Sequence, residues 1–218
     1  TKKGFSSKEI QKQLGLKRYE PVWAMVHKLR KAMGTRDERY TLEGMIEFDE
    51  GYFTVESSEI EQEKGVRGRG AAGKQNVAVM AESVPLEDLE TGEKSKSCRY
   101  FKAKVLETHL SLEINETIKE SIDNQSIVFT DKSTSYVDIA DFVELHITEK
   151  SDKETTKETL KWVHITISNA KRNLLGNYHK IKRKYLQLYL NEFIYKLNRR
   201  YFGDKLFERL IIANITAV

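Results

Sequence analysis

Cysteine is what the 218 residues hold least of: Cys98 stands alone. A disulfide framework and a cysteine-pair zinc site are thereby excluded within the chain, and a reducing, cytoplasmic setting is the expectation. Also missing is any run approaching the roughly 20 apolar residues of a membrane span. No signal-peptide pattern opens the sequence, so no membrane partner is expected. The chain starts at Thr1 rather than an initiator Met, which leads us to expect a segment upstream. There are no repeats and no low-complexity tract. What is present points to a globular protein. Ten Tyr, nine Phe and two Trp are too many for a disordered chain. The length suffices for a core without covalent staples, either as one large domain or as a medium domain with a small module.

Acidic residues are nearly absent from two segments. Residues 1–40 carry 11 Lys/Arg against 4 Asp/Glu, and residues 171–200 carry 9 against Glu192 alone. The net charge of +4 is reached because residues 41–170 hold 26 acidic and 15 basic residues. Basic flanks around an acidic middle suit a protein that grips a polyanion with its ends.

Residues 5–33 read as two helices joined by a tight turn. Ser6 and Glu9 have the spacing of a capping box, Gly15 closes the first helix, and Pro21 opens a second that runs to Gly34. A short helix followed by a basic one resembles a helix-turn-helix, with Lys28, Arg30 and Lys31 offered to DNA. Strands are expected at Met45–Val55, Val77–Val84 and Cys98–Val105, with a loop over 85–96. A helix over Leu106–Ile122 follows, then a short strand at Ile127–Phe129, a short helix at Tyr136–Phe142 and a strand at Val143–Ile147. Trp162–Ile167 is β-branched enough for a strand, but Leu160, Val163, Ile167, Ala170 and Leu174 keep a helical stripe, so a helix is chosen. Tyr185–Tyr201 is helical as well. This order predicts an α/β fold, a mixed sheet covered by helices.

Two apolar strands run into aspartates, Asp49 in IEFDEGY and Asp131 in IVFTD. Burying a carboxylate there is costly unless something positive meets it, although an aspartate capping the next turn is the plain alternative for Asp131. His164, Ser168 and Lys171 share one face of the later helix. Glu47 lies on the same strand face as Asp49, where it suits either a group supporting Asp49 from behind or a solvated carboxylate, the reading preferred; Glu50 points the other way. The glycine-rich loop over residues 59–74 carries Arg67, Arg69 and Lys74, which suit either phosphate contacts or a plain connector. It lacks the spacing of a nucleotide-binding P-loop, so ATP binding is rejected.

Two strand aspartates and a ligand from a later helix describe the metal site of an RNase H-like fold. The strings IEFDEGYF, GRGAAGK, VFTDKSTSY and GNYHKIKRKYLQLYLNEFIYKLNRR resemble the ISXO2-like insertion-sequence transposases of the DDE superfamily, over about Thr41 to Phe207. The resemblance implies an RNase H-like mixed five-stranded sheet over 41–218, preceded by the small helix-turn-helix of 1–40. It implies a metal-dependent transposase that cuts transposon ends and joins the freed 3′-OH to target DNA. Its partners would be double-stranded terminal repeats and target DNA, and its setting the bacterial cytoplasm and nucleoid. Work at two ends suggests a homo-oligomer. Asp49 and Asp131 fall on the first two catalytic positions, and counting back from GNYH places the third at His164 and the following Lys at Lys171. A Glu usually holds that third position; here His164 does, with Asn169 the alternative. The zinc-ribbon common ahead of the helix-turn-helix in this group has no cysteines to form it here.

Two ions, Mg²⁺ or Mn²⁺, are expected, with Asp49 bridging them, Asp131 holding one and His164 the other. Lys171 would neutralise a phosphate near the scissile bond. In the basic C-terminal string Arg172, Lys180, Lys182, Arg183 and Lys184 would contact DNA phosphates, which position a duplex without reading its sequence.

Overall fold

A computed structural model describes residues 4–56, 73–87, 92, 94–108, 110–133, 136, 138–150, 158–178 and 181–216. The chain forms two compact units: residues 1–39, 54–73 and 169–218 make one, and residues 40–53 and 74–168 the other. The basic C-terminal helices therefore cluster with the N-terminal helices rather than with the sheet. Among the described residues no helix is long and apolar enough to cross a membrane.

The second unit is built on a five-stranded sheet in the order β3-β2-β1-β4-β5. Its strands are β1 (Met45–Thr54), β2 (Lys74–Glu87), β3 (Lys94–Leu106), β4 (Ile127–Asp131) and β5 (Leu145–Glu149). β2 pairs antiparallel with β3, while β1 with β4 and β4 with β5 are parallel, so the sheet is mixed as expected. The β2–β3 hairpin is longer than its apolar runs suggested. Pairing continues past Val84 through Pro85↔Lys96 to Glu87↔Lys94, so part of the expected loop over 85–96 is strand. Ladder hydrogen bonds, not hydrophobic alternation, carry it there.

β1 explains how the sheet is covered. Successive strand residues face opposite ways. Ile46 and Phe48 are fully buried in a cluster with Ile114 and Ile118, which belong to α3 (Ser111–Ser121), and with Val128 and Ile139. The alternate residues, Glu47, Asp49 and Gly51, face α4 (Lys161–Asn177), whose first half lies in this unit. The apolar stripe chosen over a strand is the buried face of α4: Leu160, Val163, Ile167, Ala170 and Leu174 are all buried.

In the first unit, α1 (Ser7–Gln13) starts as its sequence dictates, with Ser6 Oγ accepting the Glu9 amide at 3.1 Å. Gly15 takes a φ of 64° just past its end. α2 (Glu20–Glu38) does not stop at Gly34. That glycine is there for packing: a Cβ would stand 2.1 Å from the side-chain nitrogen of Asn191 on α5 (Leu186–Asn198). Met33 and Tyr195 bury themselves against Ala213 of α6 (Leu206–Thr216).

Arg30, expected to meet DNA, is instead only 1% exposed. Its Nε lies 2.8 Å from Glu192 Oε2, its Nη2 donates to Tyr178 Oη at 2.8 Å, and its guanidinium sits 4.1 Å from the Tyr189 ring centroid. Glu192 also accepts from Lys196 at 2.8 Å. Burial works against the Glu192 charge, yet Lys196 and Arg30 hold its carboxyl below the usual range. A guanidinium so committed is not offered to phosphate. Removing one member of a buried pair strands the other charge. Arg30→Ala should therefore cost about 3 kcal/mol in denaturant unfolding, while Lys28→Ala and Lys31→Ala, both exposed, should each stay within about 0.5 kcal/mol of the parent.

Candidate active site

The parallel pairing of β1 and β4 puts two aspartates on neighbouring strands. Met45 pairs with Ile127, Ile46 with Val128 and Glu47 with Phe129. Asp49 and Asp131 each lie two residues beyond that last pair, on β1 and β4 respectively. Neither is deeply buried as a residue, but Asp131 Oδ1 is, and it has no hydrogen-bond partner among the described residues. Asp49 Oδ1 accepts the Glu50 amide at 2.8 Å. Its other oxygen lies 3.8 Å from Nε2 of His164, on the first turn of α4.

His164 is held below the usual imidazole range by burial, against the upward pull of the Asp131 charge. Burial thus favours the neutral ring, the form that ligates metals. Asn169 is exposed, and its side-chain oxygen accepts from Arg172 at 3.3 Å. His164, one of the two candidates for the third position, meets Asp49. Among the described residues, no three His, Cys, Asp or Glu side chains are gathered tightly enough to hold an ion as they stand. What supports a divalent cation here is the donor types alone: two carboxylates, one with an orphaned buried oxygen, and an imidazole.

Glu47 overturns its reading as a solvated carboxylate. It is 0% exposed, and its Oε2 accepts the amides of Trp162 at 2.7 Å and Val163 at 3.2 Å. Burial pushes its carboxyl up to about 7, those two hydrogen bonds pulling the other way. The signal for it lay in Leu160. His164 N donates to Leu160 O, so Leu160 occupies the N-cap of α4, where it has no side-chain acceptor to offer.

Gly51 was also missed. A Cβ there would lie 3.0 Å from Ile167 Cγ2, so the glycine lets α4 sit close over β1. Beside the aspartates, Thr130 Oγ1 meets His146 Nε2 at 2.8 Å, tying β4 to β5. Burial lowers the pKa of that His146 ring.

The other expected residues are spread more widely. Lys171 is half-buried, seven residues beyond His164 on α4, a separation of about 10 Å along a helix axis. Lys28, Lys31, Lys74, Arg172, Lys182 and Lys184 are exposed, and Arg183 is half-buried. Arg67, Arg69 and Lys180 lie outside the described residues.

A family model described as the ISXO2-like transposase domain matches residues 41–198. The chain belongs to that family, and its mixed five-stranded sheet flanked by helices is the α/β architecture its sequence predicts. No curated protein matches it. Among solved structures it is similar to one titled "Crystal structure of the Mos1 mariner paired end complex with Mn". The identity there is 12% and the TM-score 0.38, over 98% of this chain and 75% of that one.

The close seat of α4 on β1 is open to test. Gly51→Ala should cost about 1–3 kcal/mol, the usual range for overpacking. In a crystal structure or by NMR, the variant should show Ile167 and the first turn of α4 displaced from β1.

Proposed function

We propose that the chain is the transposase of an insertion sequence. It hydrolyses a phosphodiester at each transposon end to free a 3′-OH, then directs that 3′-OH onto target DNA. The observation that carries this reading is the meeting of Asp49 with His164 beside a partnerless buried oxygen of Asp131. Asp49, Asp131 and His164 would hold two divalent ions, Mg²⁺ or Mn²⁺. When bound, such a pair stabilises the entering and leaving oxygens of an in-line displacement and lowers the pKa of the attacking water.

The protein's own part is positional. Two neighbouring strands carry the carboxylates, and burial favours the unprotonated imidazole that can ligate. Lys171 neutralises a phosphate close to the scissile bond. The basic unit supplies the grip on double-stranded DNA through Lys28, Lys31, Arg172, Lys182, Arg183 and Lys184, with Lys74 contributing from the start of β2. The second helix of the N-terminal pair is the candidate for reading bases. Acting on two ends calls for at least two copies on the DNA, at the bacterial nucleoid.

Asp49→Ala and Asp131→Ala should each abolish metal-dependent nicking of a terminal-repeat duplex, leaving its binding within about threefold of the parent; a general acid–base or metal-site loss of this kind costs about 10²-fold or more. Strand transfer from a pre-cleaved 3′-OH end should be lost with it. Binding without cleavage in the parent protein would instead support a repurposed DNA-binding descendant. A neutral imidazole in place of a carboxylate also softens the donor set. Mn²⁺ should accordingly support cleavage better, relative to Mg²⁺, than it does for His164→Glu, as read from initial nicking rates in each ion.

A further inference from the structure

We propose that Glu47 is the positioning residue of this site, holding His164 against Asp49 by capping α4 from the neighbouring strand. The inference rests on the metal-site reading above and deepens it. A helix begins with amides that have no intrahelical partner, and normally the N-cap side chain accepts those of the second and third helical residues. At the start of α4 that position is Leu160, which is buried and apolar. The amides concerned belong to Trp162 and Val163, and both donate to Glu47 Oε2. A strand carboxylate thus supplies the cap that the helix lacks.

The consequence is geometric. Glu47 and Asp49 lie two residues apart on one face of β1, so one short piece of strand presents both the cap and the first carboxylate. The residue after the two capped amides is His164. Its Nε2 reaches Asp49 Oδ2 at 3.8 Å while the preceding amides are pinned to Glu47. The hydrogen bonds fix the axial position and rotation of the first turn, and with them the direction in which the imidazole leaves the helix. Side chains that orient ligands in this way typically change metal affinity by about 10–100-fold when replaced.

Three variants separate acceptance from charge. Glu47→Gln keeps the reach and an accepting oxygen, Glu47→Asp keeps the charge but shortens the reach, and Glu47→Ala removes both. Two readouts apply. The first, in metal-free protein, is the change in the His164 ring NMR signals caused by Asp49→Asn. The second is Mn²⁺ affinity by calorimetry, with paramagnetic broadening of the same ring. Glu47→Gln should keep the ring response and bind Mn²⁺ within about threefold of the parent, whereas Glu47→Asp and Glu47→Ala should lose the response and bind about 10–100-fold more weakly.

Should Glu47→Ala fail to fold, the Asp and Gln variants decide alone. A parent-like Glu47→Asp overturns the proposal, and so does a Glu47→Gln as damaged as Glu47→Asp. If Mn²⁺ binding by the parent protein is insensitive to Asp49→Ala and Asp131→Ala, the metal reading fails instead. The metal-free response of His164 then still decides the role of Glu47.

Discussion

One face of β1 sets the site. Because side chains alternate along a strand, Glu47, Asp49 and Gly51 come to one side while Ile46 and Phe48 go to the other. The apolar side is locked into the cluster under α3, so the strand cannot slip without moving its whole hydrophobic set into the wrong layer. The polar side inherits that rigidity. Each of its three residues meets a successive part of α4: the amides of Trp162 and Val163, then the ring of His164, then Ile167. A hydrophobic constraint on one side of the sheet therefore becomes geometric precision on the other.

The parallel pairing with β4 completes the arrangement. A parallel neighbour needs a crossover, and here the β2–β3 hairpin and α3 supply it between β1 and β4. Residues about 80 positions apart become neighbours across roughly one strand spacing. In the other unit, burial sorts the cations. The acidic residue that residues 171–200 do contain, Glu192, is spent on Arg30 and Lys196 inside the fold. Exposed cations such as Lys28, Lys31, Lys182 and Lys184 are left to give the unit its external field.

The order of elements was legible because periodicity and capping are local. The Ser6 cap, the strand around Asp49 and the helical stripe from Leu160 to Leu174 all announce themselves within a dozen residues. Partners were not legible. Nothing near Arg30 in the sequence says that Glu192 and Tyr178 will close over it, since the cost of burying a guanidinium is met by residues about 150 positions away. Gly34 looked like a helix end because glycine usually marks one; its role is to admit Asn191 from another helix. Glu47 was misjudged for a similar reason. Strand alternation gave its direction correctly, but whether that side of the sheet met water or a helix depended on where α4 came to rest.

The burial of Glu47 carries an energetic cost. A carboxylate that is fully buried costs free energy even with two amides on one of its oxygens, and its other oxygen has no hydrogen-bond partner among the described residues. An Asn or Ser at position 160 would cap α4 locally at far smaller expense. Asp131 Oδ1, buried and partnerless, adds to the same account. A fold concerned with stability alone would lose both penalties through simple substitutions. Both penalties fall on neighbouring strands of the sheet, Glu47 on β1 and Asp131 on β4. A cap reaching from β1 ties the helix to the strand that bears Asp49, whereas a cap from within α4 would leave the helix free to shift against it.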